Sequence, residues 1–166
     1  MLVVGIIGIL ATLGVGFSGT YIKDQRLKAS ARAVQSAISM ARAEAVRSSS
    51  AATFSVANNT IYAYKDINKN KVYDAGDTLI YRYPAANAAP LPATTSIYVT
   101  GLVTSAGISP IGSFNYEGLY FDGSGTLSGA TICIKDSTLN DVRAVQMTVT
   151  GACRSLGMAA GAAACP

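Results

Sequence analysis

The chain begins with an apolar run, Met1 to Phe17, that contains no charged side chain, and the first charge follows at Lys23. A helix needs about 20 apolar residues to cross the hydrocarbon core of a bilayer. The pattern therefore predicts a membrane-spanning helix over residues 1–22.

Two other kinds of apolar N-terminal segment compete with this prediction. A secretory signal peptide has an apolar region of roughly 7–15 residues behind a basic segment, whereas this run is longer and no basic segment precedes it. An ordinary single-pass anchor would place the basic flank of Lys23, Arg26 and Lys28 in the cytoplasm by the positive-inside rule. Both alternatives stay open at this point.

The helical pattern continues without a loop signal over residues 23–50, where apolar positions recur at the spacing of one helix face. This stripe consists of Leu27, Ala31, Val34, Ile38, Ala41 and Ala45. We expect Val34 onward to pack on the chain's own sheet, and Leu27 with the stretch before it to pack against neighbouring subunits. The helix should end between Arg47 and Ser50.

Residues 51–154 read as a head of short strands, followed by an Ala/Gly-rich tail over 155–166. Several short strands after one long helix predict an α+β fold in which a small antiparallel sheet packs on the helix. Residues 101–112 have no clear period and are assigned to no element. The predicted strands are Ala52–Val56, Thr60–Tyr64, Thr78–Tyr83, Ser96–Thr100, Leu119–Phe121, Thr131–Ile134 and Ala144–Val149. Between the first two, Asn58-Asn59 tolerates left-handed conformations and predicts a tight hairpin turn.

Composition argues against catalysis and for one small domain beside the helix. A head of about 115 residues can bury its own core, and the net charge of +4 is too mild to argue for an anionic partner. The sequence contains no His, so a Ser-His or Cys-His nucleophile pair cannot be built. No Gly-rich phosphate loop with Lys precedes a helix, and we predict that the protein is not an enzyme.

The segment Leu2 to Ala11, Leu-Val-Val-Gly-Ile-Ile-Gly-Ile-Leu-Ala, resembles the N-terminal helix of type IV pilins and type II secretion pseudopilins. The resemblance implies a subunit that a single pass holds in the bacterial inner membrane, with its head in the periplasm or outside. It implies assembly with other pilin or pseudopilin subunits through the N-terminal helix, to give an extracellular filament.

The start of the chain departs from the pattern of that family. Family members carry a short basic leader, which a prepilin peptidase removes, and a Glu at the fifth mature position. Neither feature is present at the start of this sequence. We therefore expect a true N-terminus upstream of Met1, or a truncation, and prepilin peptidase is an expected partner if that leader exists.

Two further segments resemble the FimT/GspH branch of minor pilins and pseudopilins. Ser39 to Ser48 is similar to the end of the long helix in that branch, and Tyr120 to Gly151 is loosely similar to the C-terminal half of its domain. The resemblance implies a structural subunit of a type IV pilus or a type II secretion pseudopilus. A major pilin is an alternative.

DNA uptake is a second alternative that the resemblance raises. In some competence-associated members, arginines in a final Thr/Ser-Gly-Arg-x-Arg segment contribute to DNA binding, and Thr150 to Arg154 retains only the second of them. Arg154, Arg143 and Lys135 are therefore the candidate DNA-binding residues. Affinity grows with the number of phosphates neutralised, and the competing interpretation for Arg154 is an exposed charge at the end of a strand.

The segment from Asp66 to Asp77 has the ligand spacing of a calcium loop. Oxygen-bearing side chains occupy loop positions 1, 3, 5, 9 and 12, and position 7 would contribute a backbone carbonyl. Lys71 stands where such loops have Gly, so a polar loop between two strands is the competing interpretation. The candidate Ca²⁺ ligands are Asp66, Asn68, Asn70, Val72, Asp74 and Asp77.

The chain contains three cysteines, Cys133, Cys153 and Cys165, and an odd number suggests one disulfide and one leftover thiol. Cys133 lies on a predicted strand and Cys153 just after the last one, so we favour a Cys133–Cys153 bridge if those strands are neighbours. Cys153–Cys165 is the rival pairing. All three would be reduced if the head were cytoplasmic.

Overall fold

The computed structural model describes residues 2–57, 60–70, 73–88, 91, 95–99, 108–138 and 141–157. Within helix α1, burial is described for residue 19 and from residue 21 onward. The predicted turn at Asn58 and Asn59, the predicted calcium ligand Val72 and the predicted disulfide partner Cys165 lie outside the described residues.

One helix, α1 (Leu2–Ser48), precedes all the strands. Ser49, at φ 49°, ends it in a left-handed conformation. The N–H of Ser50 then bonds the carbonyl of Ala45 at 3.2 Å, and the N–H of Ser49 bonds the carbonyl of Val46 at 3.4 Å. This pair of bonds satisfies carbonyls that a helix C-terminus otherwise leaves free, and the predicted end between Arg47 and Ser50 is confirmed.

The described residues of the head form two antiparallel sheets. Their strands are β1 (Ala52–Ala57), β2 (Thr60–Lys65), β3 (Thr78–Tyr83), β4 (Thr95–Val99), β5 (Ile108–Phe114), β6 (Tyr120–Asp122), β7 (Ala130–Asp136), β8 (Asp141–Met147) and β9 (Cys153–Gly157). The first sheet has the strand order β3-β2-β1-β5-β6 and the second the order β4-β7-β8-β9.

The apolar stripe of α1 forms the centre of the core. All six of its predicted members are buried, with at most 5% of any of them exposed. They pack with Phe54, Ile61 and Phe114 of the first sheet and with Ile132 and Val145 of the second. The α+β fold with the helix on antiparallel strands is therefore confirmed. The prediction that Leu27 packs against neighbouring subunits is wrong, because Leu27 is 2% exposed and belongs to this core.

The two sheets meet beside Arg42, near the C-terminal end of α1. The backbone N–H of Tyr120 donates to the carbonyl of Val149 at 2.8 Å, which joins β6 to the turn between β8 and β9. Gly118 and Gly151, both at positive φ, face the Arg42 side chain, and a Cβ on Gly151 would lie 2.8 Å from its Cδ. The aliphatic part of Arg42 thus packs against turns from both sheets, and glycine leaves the space for it.

Two strands, β5 and β9, were not predicted from the sequence. Strand β5 contains Pro110 and Gly112, which are rare inside strands. The pairing of β5 with β1 shifts register between Phe54 and Ser55, and a Cβ on Gly112 would collide with the Phe121 carbonyl oxygen. Strand β9 is short and largely exposed. The predicted boundary between head and tail at residue 155 is wrong, because β9 continues the second sheet to Gly157.

In the part of the chain that the structure describes, no helix has both the length and the apolar character needed to cross a bilayer. The side chains of residues 1–18, on which the prediction of a span over 1–22 rests, lie outside that part.

Candidate functional site

The point at which α1 leaves the head is marked by an ion-pair network. Asp24 accepts from Lys28 Nζ at 2.6 Å and from Arg143 Nη2 of β8 at 3.3 Å. Arg143 also donates to Asp141 at 3.1 Å. The Lys28 hydrogen bond, supported by the charges of Lys28 and Arg143, lowers the pKa of the Asp24 carboxyl. The network fastens the helix to the second sheet one turn before the buried Leu27.

The helix surface changes character on the N-terminal side of this network. Tyr21 is 64% exposed and Ile22 is 49% exposed, although both are large and apolar. Lys23 is exposed as well. The described head therefore does not cover α1 in this region, and the two apolar side chains are available to another molecule.

The segment from Asp66 to Asp77 folds as a polar loop that closes on Asp74. The Asp74 carboxylate accepts from the side-chain amides of Asn68 at 2.7 Å and Asn70 at 2.9 Å, and from the backbone N–H of Gly76 at 2.9 Å. These three bonds, the Gly76 bond first among them, lower the pKa of the Asp74 carboxyl. Three of the candidate Ca²⁺ ligands, Asn68, Asn70 and Asp74, therefore lie together in this loop.

The ends of the same loop are held by its other two carboxylates. Asp77 accepts the backbone N–H of Ile67 and that of Asp74, each at 3.0 Å. Asp66 accepts the backbone N–H of Asn70 at 3.2 Å. The loop thus supplies N–H donors to its own carboxylates, as the polar-loop interpretation requires.

The described residues of the loop do not present a preformed cation site. Among the described residues, no group of three or more His, Cys, Asp or Glu side chains is arranged to hold a metal ion. The amides of Asn68 and Asn70 also turn their nitrogens, not their oxygens, toward Asp74. Calcium would need both amides to rotate and the internal N–H bonds to Asp74 to give way, so Ca²⁺ binding stays a prediction.

Tyr73 anchors the loop, a role not predicted from the sequence. Its ring stacks on Tyr62 at 5.3 Å between centroids and lies 5.4 Å from Tyr64, both on β2. Burial raises the pKa of the Tyr64 phenol. Arg82 of β3 lies 5.7 Å above the Tyr62 ring. An aromatic residue in an otherwise polar loop was the signal available, because such a residue usually has a packing partner.

The predicted Cys133–Cys153 disulfide is wrong. Cys133 is disulfide-bonded to a residue outside the described part of the chain, whereas Cys153 is a free thiol whose pKa burial raises. Strand β8 lies between β7 and β9, which separates the two backbones by about 9.6 Å, and a disulfide needs Cα atoms within about 7 Å. The rival Cys153–Cys165 pairing and the fully reduced state are wrong as well.

The three predicted DNA-binding residues do not form one surface. The Arg143 side chain turns toward α1, where it bridges Asp24 and Asp141. Lys135 and Arg154 alternate with residues of the helix-side core and so lie on the opposite face of the sheet. Lys135 pairs with Val142, Arg154 pairs with Gln146, and β8 separates them.

Comparison with known proteins identifies the fold and the family. The family model for the type II transport protein GspH matches residues 30–152. The crystal structure of the type IV minor pilin FimU of Pseudomonas aeruginosa is similar, with a TM-score of 0.54 and 14% sequence identity. The alignment covers 81% of this chain and 90% of that one. A comparison with curated protein sequences finds no match.

Proposed function

The chain belongs to the family of the type II transport protein GspH, and from this membership we propose that it enters a filament through its N-terminal helix. It is a structural subunit of a type IV pilus or a type II secretion pseudopilus, not an enzyme, and it assembles with other pilin or pseudopilin subunits.

The observation that carries the proposal is a continuous helix whose surface is exposed just before it enters the head. Helix α1 is continuous from Leu2 to Ser48, and among the side chains that the structure describes, its burial in the head begins at Leu27. At about 1.5 Å per residue, the part before Asp24 is roughly 33 Å long. A helix of this length, with Tyr21 and Ile22 exposed near its entry into the head, would give neighbouring subunits a surface to pack against.

We propose that the same helix stores the subunit in the bacterial inner membrane before assembly. The uncharged run from Met1 to Phe17 supports this proposal. The disulfide at Cys133 supports a head in the periplasm or outside, because disulfides persist in oxidising compartments. A prepilin peptidase that acts on a leader upstream of Met1 would be the processing partner, as the resemblance of Leu2–Ala11 implies.

On assembly, the N-terminal helix would move from contact with lipid tails to contact with the helices of neighbouring subunits. Lipid tails are about as apolar as the side chains that replace them, so association depends on close packing and not on burial from water. Glycines at 5, 8, 14, 16 and 19 give the helix small positions that permit close approach.

Site-specific cross-linking of the full-length chain tests the proposal. A photo-cross-linking residue is placed at Ile22, which is 49% exposed, and in a matched control at Leu79, which is 42% exposed on β3. In cells that assemble the filament, position 22 should cross-link to pilin-like subunits and position 79 should do so far less. Equal cross-linking from both positions, or none from position 22, would contradict assembly through the helix.

A further inference from the structure

A groove opens between α1 and the edge strand β9, on the same side of the head as the Asp24 network. Its volume is about 200 Å³, and we call it the helix–β9 groove. It is lined by Lys28, Ala31, Arg32, Gln35, Arg143 and Ser155.

The side chains that line the groove have more hydrogen-bond donors than the hydrogen bonds they make with neighbouring residues. The Lys28 ammonium uses one of its three N–H groups to donate to Asp24. Arg32 makes no ion pair among the described residues and is exposed. Arg143 uses Nη2 for both Asp24 and Asp141, and its buried Nε has no hydrogen-bond partner in the part of the chain that the structure describes. Three cations therefore face two carboxylates, which leaves a net positive charge and unused donors.

The groove lies where the apolar part of the chain gives way to the polar part. Lys28 and Arg32 follow Ile22 by six and ten residues, rises of about 9 Å and 15 Å. The headgroup layer is about 5–8 Å thick on each side of a bilayer, and helical side chains tilt toward the N-terminus, so Lys28 and Arg32 lean back toward that layer. Exposed Tyr21 is the residue type found at such an interface.

We propose that the helix–β9 groove binds the phosphate of an anionic phospholipid headgroup while the subunit is stored in the membrane. This inference rests on the proposed membrane storage. The guanidinium of Arg32 and the ammonium of Lys28 supply charge-assisted hydrogen bonds to phosphate oxygens, and Gln35 and Ser155 supply neutral donors. Bound in this way, the lipid holds the head at a fixed height and rotation above the membrane surface.

Native mass spectrometry of the full-length chain, released from vesicles of phosphatidylglycerol or phosphatidylcholine, tests the proposal. The test variant is Arg32→Gln. The matched control is Lys23→Gln, which removes one exposed charge from the same helix at a site that does not line the groove. Both residues are exposed, so both variants should fold, and thermal unfolding checks this.

The wild-type chain should retain phosphatidylglycerol and lose phosphatidylcholine under the same activation. Loss of one surface charge weakens attraction to anionic lipid by about fivefold. Lys23→Gln should therefore reduce the retention of phosphatidylglycerol by no more than this factor. Arg32→Gln should reduce retention by roughly tenfold or more, because it also removes the hydrogen bonds to phosphate.

Three outcomes would overturn the proposal. Equal losses in the two variants would mean diffuse electrostatic attraction, and no loss in Arg32→Gln would mean that the groove binds no headgroup. Cross-links from position 32 to a neighbouring subunit, unaffected by the lipid supplied, would assign the groove to a carboxylate of that subunit. Failure of the chain to associate with either kind of vesicle would instead contradict the membrane storage on which the inference rests.

Discussion

The polar loop of residues 66–77 and the C-terminal sheet of β7, β8 and β9 are held by contacts of different range along the chain. In the loop, Asn68 and Asn70 both bond to Asp74, within six residues of it. In the sheet, β8 lies between the strands that carry Cys133 and Cys153, and Cys133 is disulfide-bonded to a residue outside the described part of the chain. Spacing within a dozen residues limits geometry directly, whereas the neighbours of a strand are decided by the whole fold.

The largest effect that can test this comparison is removal of the Cys133 disulfide. We expect Cys133→Ala to lower the free energy of unfolding by about 2–5 kcal/mol, because a native cross-link restricts the unfolded chain. Cys153→Ala, which removes a half-buried free thiol, should cost about 1 kcal/mol or less. Thermal unfolding of both variants under non-reducing conditions measures the difference.

Peptide mapping under the same conditions is the control for that measurement. The peptide with Cys153 should be alkylated without reduction, and the peptide with Cys133 only after reduction. A Cys153 peptide that appears only after reduction, or equal destabilisation by the two variants, would contradict the assignment of the free thiol and restore the predicted bridge.

The parts of the fold that the sequence predicts well are those set by short-range periodicity. The stripe from Leu27 to Ala45 follows one helix face, and all of it is buried. Strands β1 and β2 were predicted as a hairpin, and they pair from Thr53↔Tyr64 to Ala57↔Thr60. In both cases the residues that interact lie within one element or in adjacent ones.

The parts that the sequence does not predict depend on distant partners. Strand β5 tolerates Pro110 and Gly112 because β1 shifts its register opposite them and because Gly112 lies against the Phe121 carbonyl. Leu27 is buried in the core that α1 forms with strands of both sheets, and the nearby Asp24 bonds to Arg143, 119 residues later in the chain. The helix–β9 groove likewise combines side chains from α1, β8 and β9, so no local pattern could have indicated it.

The next largest effect concerns the seam between the two sheets at Gly151. We expect Gly151→Ala to destabilise the head by about 2–4 kcal/mol, since a Cβ at φ 73° is strained and would lie 2.8 Å from both Arg42 Cδ and Phe114 Cε1. Gly125→Ala is the matched control, because Gly125 has φ 84° but no atom within 4 Å of a Cβ. It should cost only about 1–2 kcal/mol.

Chemical denaturation of these two glycine variants separates strain from crowding. A larger loss of unfolding free energy for Gly151→Ala would support close packing of the Arg42 side chain against the turns that join the two sheets. Equal losses would mean that only the backbone conformation matters, and Arg42 would then have no role in joining the two sheets.

A smaller effect is expected from Asp74, at the centre of the polar loop. Hydrogen bonds lower its pKa from the ordinary value of 3.8, so the unfolded state binds a proton more readily. The stabilisation is then fully present above pH 3.8 and is lost as the pH falls through the lowered pKa. Asp74→Asn should therefore destabilise the protein at neutral pH, and its difference from the wild type should shrink in acid.

A calcium titration of the same two proteins tests the remaining prediction for the loop. A heat of binding and a raised melting temperature in the wild type, both absent in Asp74→Asn, would establish a calcium site. No heat with millimolar Ca²⁺ on folded protein would leave a polar loop closed by its own N–H donors. A pH dependence unchanged by Asp74→Asn would contradict the central place assigned to this carboxylate.

The smallest effect is expected at Arg154, and it tests whether the outer face of the C-terminal sheet binds DNA. Arg154 is exposed on the edge strand β9, so Arg154→Ala should change the free energy of unfolding by no more than about 0.5 kcal/mol. Arg143→Ala, which leaves Asp24 and Asp141 without this partner, should lower the free energy of unfolding by about 1 kcal/mol.

Because one arginine supplies one phosphate contact, the loss of Arg154 should not alter the migration of duplex DNA with the full-length chain. A salt-dependent shift of duplex DNA that Arg154→Ala abolishes would contradict this expectation. It would show that basic residues on separate strands form one DNA-binding surface, so that contacts between distant parts of the chain create a site here as local contacts do in the polar loop.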